Sequence, residues 1–322
     1  MLVTGAGGFV GRPLCEEILR QGDPVRAAVR SQGQLPAGIE SVAVGEIDGN
    51  TDWTAALRDV DVVIHLAARV HVMKEVAIDP LAEFLKVNLH GTENLARQAA
   101  RAGVKRLVYV SSIKVNGEGT TGNRAFIEAD KPAPQDPYGV SKWQAEQALQ
   151  RIAQETGLEV VIVRPPLVYG PGVKGNFLKL FAAIDKDMPL PLAGAHNARS
   201  LIYVGNLVHA LIACATHPAA AGQTYLVRDS EDVSTALLVE KIAQELGRNS
   251  HSFYFPPGLL RTVAAMLGRS EQIDRLFGSL RVSDQKLRDE LGYFPPYSLE
   301  QGLRATADWY YLSRNGYNRA TP

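Results

Sequence analysis

The chain has 322 residues, 46% hydrophobic and 21% charged, a globular composition of about two domain-lengths that can bury a core without disulfides. Lys plus Arg balance Asp plus Glu at 34 each, which argues against a nucleic-acid binder working through a basic face. Cys15 and Cys214 are the only cysteines, which excludes a disulfide scaffold and a cysteine-rich zinc site. No apolar run approaches the roughly 18 residues of a membrane span. The most apolar stretch, Leu201 to Ala215, is broken by Asn206 and His209. Met1-Leu2-Val3 shows no signal-peptide pattern, so a cytoplasmic protein with no membrane partner is expected.

In chain order, Leu2-Val3, Val25 to Val29, Ser41 to Val44, Val62 to Leu66, Leu107 to Val110 and Val160 to Val163 read as strands. They are continuous apolar runs, as expected where both sheet faces are covered. Leu14, Cys15, Ile18 and Leu19 share one helical face, and Gly22 follows as a stop. Leu81 to Ala102 and Tyr138 to Thr156 read as two further helices. The alternation predicts an α/β fold with a doubly wound parallel sheet. After Arg164 prolines and glycines thicken, and Gly222 to Val227 reads as a strand returning to the sheet. The expected division is a dinucleotide-binding domain over residues 1–165, with 199–230 returning to it. A smaller, interleaved substrate domain would take 166–198 and 231–322.

The first strand runs into Thr4-Gly5-Ala6-Gly7-Gly8-Phe9-Val10-Gly11 and then a helix with Pro13 in its first turn. Val10 stands where G-x-G-x-x-G needs its last glycine; Gly5, Gly8 and Gly11 fit G-x-x-G-x-x-G instead. Such a turn brings backbone, with Phe9 and Val10, against a pyrophosphate at a helix N-terminus. An NAD site wants a carboxylate at the end of the second strand, yet Val29 and Arg30 stand there. A guanidinium suits a 2′-phosphate, so NADP(H) is expected over NAD(H). Tyr138 and Lys142 form Y-x-x-x-K, which puts phenol and ammonium on one helix face behind Asp136 as N-cap. An adjacent lysine favours phenolate and makes Tyr138 a usable acid or base. His196 and His251 lack ligand-like spacing to a second group, so no metal is expected.

These motifs resemble the extended short-chain dehydrogenase/reductase family, and the likeness runs over nearly the whole chain. By that resemblance Glu46-Ile47 would contact the adenine, and His65-Leu66-Ala67-Ala68 would pass beside the cofactor ribose, with Pro165 also on the cofactor. Matching Val115-Asn116-Gly117 to the family's V-Y-G assigns Ser112 as the catalytic hydroxyl beside Tyr138 and Lys142, leaving Ser111 structural. Asn88 matches the asparagine that holds a water near the lysine. The family's 4,6-dehydratases carry an Asp-Glu pair where Ile113 and Lys114 stand, so dehydration is not expected. Nor is the Cys–His chemistry of GDP-fucose-type epimerase/reductases, because Cys15 and Cys214 lie far from these motifs.

The resemblance then implies action at carbon 4 of a nucleotide sugar. S-S-I-K-V-N-G and H-L-A-A-R-V-H-V-M favour reduction of a UDP-4-keto-6-deoxy-N-acetylhexosamine in bacterial surface polysaccharide (O-antigen) synthesis. The alternatives are a UDP-sugar 4-epimerase with tightly held NAD and a non-catalytic nucleotide sensor of the same fold. Asn176 and Arg199 would hold the nucleotide diphosphate, Arg199 in an R-D-(F/Y)-I-x-V segment with Ser200 replacing Asp. Arg275 would supply a second phosphate contact, with Arg269 or Arg281 as substitutes, while Lys114, His71 and Glu128 would reach the sugar. A homodimer is expected by resemblance, and no nucleic-acid partner.

Overall fold

The computed structural model describes residues 1–31, 35–70, 79–256, 258–260 and 276–314. Seven strands form one parallel sheet: β1 (Leu2–Thr4), β2 (Arg26–Val29), β3 (Glu40–Ala43), β4 (Val62–His65), β5 (Arg106–Val110), β6 (Glu159–Arg164) and β9 (Thr224–Leu226). Their order is β3-β2-β1-β4-β5-β6-β9. The strand order reverses between β1 and β4, so a crevice opens beyond the carboxyl ends of these two strands. The residues expected to rejoin the sheet do so as β9, where Ile162 pairs with Thr224 and Arg164 with Leu226.

Both faces are covered, which is why the strands read as unbroken apolar runs. On one face α1 (Gly11–Arg20) and α7 (Val204–Thr216) bury Leu14, Ile18, Leu207 and Leu211 against Val3, Ile64 and Val161. On the other, α2 (Thr54–Leu57), α4 (Thr92–Arg101) and α5 (Pro137–Thr156) bury Leu57, Leu95, Leu149 and Ile152 against Leu2, Val63 and Leu107. The helix expected over 81–102 is divided. Asp79 caps α3 (Pro80–Leu85) by accepting from the Ala82 amide at 3.0 Å, and a π-helical segment, Lys86–Gly91, separates α3 from α4. Such bulges re-aim side chains, and this one carries Asn88.

Beyond β6 the chain builds a second cluster. Two short strands absent from the sequence reading, β7 (Leu167–Tyr169) and β8 (Leu201–Tyr203), pair in parallel outside the main sheet. Around them α6 (Gly175–Asp185), α8 (Thr235–Glu245) and α10 (Leu299–Arg314) bury Phe177, Phe181, Val239, Ile242 and Leu303. The short α9 (Gln285–Leu291) instead packs Leu287 onto the first sheet face. Among the described residues no helix is long and apolar enough to cross a membrane.

Asp229 joins the two clusters. Only 1% exposed, it accepts hydrogen bonds from the Tyr169 hydroxyl at 2.9 Å, the Tyr203 amide at 2.9 Å and the Asn206 side-chain amide at 2.7 Å. Asn206 reaches on to the backbone of Tyr297. Removing this carboxylate strands three donors, each costing about 1–3 kcal/mol when buried. Asp229→Ala is therefore expected to lose about 3 kcal/mol or more, measured by urea denaturation, whereas an exposed control such as Asp23→Ala shifts the midpoint little.

Candidate active site

The glycine turn is shaped by its backbone. Gly5 has φ +67°, and a Cβ there would lie 2.9 Å from the Ala67 amide nitrogen. At Gly11 a Cβ would lie 2.2 Å from the Gly5 carbonyl oxygen, so the turn closes tightly only with glycine in both places. Outward the turn is open: a Cβ on Gly7 would meet nothing within 4 Å. The first turn of α1 carries no acid. An open backbone rim at a helix N-terminus with no competing carboxylate fits a dinucleotide pyrophosphate. Phe9 points to the second cluster, packing against it and near Gly172.

Along the crevice, Leu66, Ala67 and Ala68 are half-buried just past β4. Thr4 ties β1 to β4, its hydroxyl bonding His65 Nδ1 at 2.6 Å and accepting from the Ala67 amide at 3.2 Å. His65 Nε2 meets the Thr92 hydroxyl at 2.9 Å. Burial, and secondarily the Lys142 charge, pull this imidazole down to about 3, so it is a neutral strut. At the outer edge, Ile47 packs beneath α4, its Cγ2 2.7 Å from where a Gly91 Cβ would sit. Arg30 does stand just past β2, but its nearest anion is Glu46, 3.6 Å away, with side chains 75% and 79% exposed.

The chemical groups converge at the carboxyl end of β5. Asp136 caps α5 through the Gly139 amide at 2.7 Å, Pro137 occupies the first turn, and Gly157 ends the helix with φ 78°. Tyr138 and Lys142 therefore share one face. The Tyr138 phenol stands near the Ser112 hydroxyl, with no well-formed hydrogen bond between them. Burial and the Asp136 carboxylate hold the phenol above the usual tyrosine range, and the Ser112 contact acts in the opposite direction. Lys142 is buried, donates to the Val110 carbonyl at 2.8 Å, and is pulled down to about 7 by burial, with Glu146 opposing.

Neither Glu146 nor Tyr109, read only as a strand residue, was expected at the site. Glu146 lies four residues beyond Lys142 and eight beyond Tyr138, and that spacing was the signal available. Fully buried, it accepts from Arg164 Nε at 2.9 Å and Nη2 at 2.5 Å, and from the Ser111 hydroxyl at 2.5 Å. Arg164 Nη1 also donates to Asn116 at 3.0 Å. Asn116, where the family pattern has Tyr, is thus part of a charge network. Pro165 accepts the Ile113 amide at 3.0 Å through its carbonyl. Tyr109 presents its ring 4.6 Å below the Lys142 ammonium.

Other expected residues have different surroundings. The Asn88 side chain bonds the Arg69 amide at 2.8 Å, the Arg69 carbonyl at 3.0 Å and the Ser141 hydroxyl at 2.9 Å. Ser141 continues to the Tyr138 carbonyl at 2.7 Å. Asn88 therefore fastens the strand-end loop to the helix bearing Tyr138. Lys114 is paired with Asp136 and with Glu118 at 3.0 Å, next to Tyr138. Asn176 is exposed in the first turn of α6. Arg199 is half-buried and donates to the Gly278 carbonyl at 3.1 Å. The carboxylate missing at Ser200 is supplied by Asp232, which accepts from the Ser200 hydroxyl at 2.5 Å and from Arg228 and Arg281. Glu128 accepts the Leu226 amide at 2.9 Å. Cys15 and Cys214 are core residues whose thiols burial pushes up to about 12. Arg275, Arg269 and His71 lie outside the described residues.

His65 gives a stability test. The unfolded chain binds its imidazole proton near pH 6.5 and the folded chain only near 3. Stability is therefore fully present above about pH 6.5 and falls with acidification below it, by up to about 1.4 kcal/mol per pH unit from this group. Denaturant midpoints between pH 7 and 5 should show this slope in the wild type and lose it in His65→Gln.

The sequence model of the NAD dependent epimerase/dehydratase family matches residues 1–227. A UDP-glucose 4-epimerase of Vibrio cholerae is 41% identical over 317 residues, covering 98% of this chain and 96% of that protein. A 3 beta-hydroxysteroid dehydrogenase/Delta 5-->4-isomerase of Mycobacterium tuberculosis is 29% identical over 344 residues, with 96% and 90% covered. The structure of MoeE5 in complex with UDP-glucose and NAD, 26% identical, matches with a TM-score of 0.77 over 97% of this chain and 99% of that one.

Proposed function

The chain belongs to the NAD dependent epimerase/dehydratase family, and from that membership we propose that it is a UDP-sugar 4-epimerase that retains NAD through its turnovers. The observation that carries the reading is the Tyr138 phenol near the Ser112 hydroxyl, with buried Lys142 one helical turn on, at the carboxyl end of β5. Both an epimerase and a reductase can use these three groups. The 41% identity to the Vibrio cholerae 4-epimerase, over nearly the whole of both chains, favours the epimerase.

Gly5, Gly8 and Gly11, with Phe9 and Val10, would hold the pyrophosphate, and Glu46 and Ile47 the adenosine. Leu66, Ala67, Ala68 and Pro165 would line the inner part of the site. When bound, the nicotinamide would supply the hydride acceptor and donor for carbon 4. Tyr138 takes the proton of the 4-hydroxyl as the carbonyl forms and returns it when the sugar has turned its other face. Ser112 donates to the developing carbonyl oxygen. The Lys142 ammonium would favour the phenolate of Tyr138 against the burial that holds it protonated, and would hold the cofactor ribose. Asn88 acts by positioning the Tyr138 turn. Asn176, Arg199 and Lys114 are proposed on the substrate side, Lys114 only after exchanging Asp136 or Glu118 for the sugar.

NAD is bound by the similar MoeE5. The pairing of Arg30 with Glu46 supports NAD here too, because a 2′-phosphate would have to compete with that carboxylate. The exposure of Arg30 is the observation that favours the second reading, an NADP(H)-dependent reductase of UDP-4-keto-6-deoxy-N-acetylhexosamines. Purified protein is expected to carry NAD and to interconvert UDP-N-acetylglucosamine or UDP-glucose with the galacto epimer without added nucleotide. NADPH consumption with UDP-4-keto-6-deoxy-N-acetylglucosamine, and no epimerisation, would reverse the choice.

Two variants test the parts. Tyr138→Phe is expected to lower kcat by about 10²- to 10⁴-fold, the usual worth of an acid–base group, with NAD content unchanged. Glu46→Gln frees Arg30 and is expected to raise the affinity for NADP relative to NAD, read by fluorescence titration.

A further inference from the structure

The Lys142 ammonium sits among groups from four elements. Tyr138 and Glu146 face it from its own helix, and Tyr109 and the Val110 carbonyl from β5. His65 stands behind Tyr109 on β4, and Arg164 of β6 is tied to Glu146. Among the described residues, the ammonium donates one hydrogen bond, to the Val110 carbonyl at 2.8 Å. Glu146 carries opposite charge, but its two oxygens are occupied by Arg164 and Ser111. Beneath the ammonium is the face of the Tyr109 ring, 4.6 Å away, against 5.9 Å for the Tyr138 ring. Tyr109 is fully buried, where the ring quadrupole attracts a cation more strongly than at a wet surface. Its hydroxyl lies near Thr92 without a well-formed hydrogen bond, so the ring is the part with a partner.

We infer that Tyr109 is a positioning residue whose aromatic face seats the Lys142 ammonium at the cofactor edge. The ring is itself fixed from behind by His65, whose ring is stacked at 5.8 Å and 30°. His65 stays neutral and so does not repel the lysine through the tyrosine. Thr4 and Thr92 hold His65. A column therefore runs from the end of β1, where the glycine turn begins, through His65 and Tyr109 to Lys142. The inference rests on the proposed role of Lys142, and its test separates the two.

The protein as purified is labelled with ¹³C at lysine Cε, and the Lys142 resonance is assigned by its loss in Lys142→Met. Tyr109→Phe keeps the ring and is expected to leave the Lys142 titration midpoint within about 0.3 pH units and kcat within about twofold. Tyr109→Met removes the π face and is expected to lower the midpoint by about one pH unit, a tenfold change in the protonation equilibrium. Should Tyr109→Met fold poorly, mono-, di- and trifluorophenylalanine at position 109 keep the shape while weakening the quadrupole, and the midpoint should fall with each fluorine. An unchanged midpoint across Met and the fluorinated series, with Lys142→Met inactive, overturns the inference alone. Full activity in Lys142→Met overturns the site reading on which it stands.

Discussion

Glu146 and Arg164 form a bidentate ion pair, fully enclosed between α5 and the end of β6. Its geometry sets where the chemical groups stand. Glu146 shares a helical face with Tyr138 and Lys142, so fixing the carboxylate fixes the rotation of α5. Ser111, which donates to the same carboxylate, precedes Ser112, and Arg164 precedes Pro165. One enclosed pair thus gathers the phenol, the ammonium, the serine hydroxyl and the inner wall of the crevice. Such a pair adds little net stability compared with well-packed apolar groups, but breaking it leaves a buried charge uncompensated. Its value here is orientation.

The same logic extends to the second cluster through neutral and charged contacts together. Phe9 leaves the glycine turn to pack against the second cluster, and Asp229 ties β7, β8 and α7 to one carboxylate. Asp232 collects Ser200, Arg228 and Arg281. Charged residues that look like solvated surface in one dimension are therefore spent on holding the two halves in register. Arg199 and Lys114, expected to meet substrate, also have protein partners. On the proposed reading, a sugar nucleotide would have to be recognised against that competition.

At the outer edge the balance is different. Arg30 and Glu46 are both solvated, so their pairing is weak and readily rearranged. On the proposed reading, nucleotide preference would rest on this exposed pair, while the groups around Tyr138 and Lys142 are held by buried contacts.

The parallel sheet, the glycine turn and the Tyr138–Lys142 face were legible in the sequence because each depends on near neighbours. Continuous apolar runs, glycines three apart and residues four apart on a helix carry their own geometry. The β7–β8 pair, the contacts of Asn88 with Arg69 and Ser141, and the column from Thr4 through His65 and Tyr109 to Lys142 were not, because each joins residues distant in sequence. Tyr109 read as one more apolar strand residue until β4 and α5 closed on its two faces. Arg164 read as a family motif until Glu146 and Asn116 met it from other elements. Local chemistry fixed which groups the chain offers. Tertiary packing decided which of them are dry, charged and aimed at one another, since burial and long-range contacts exist only once the chain has folded.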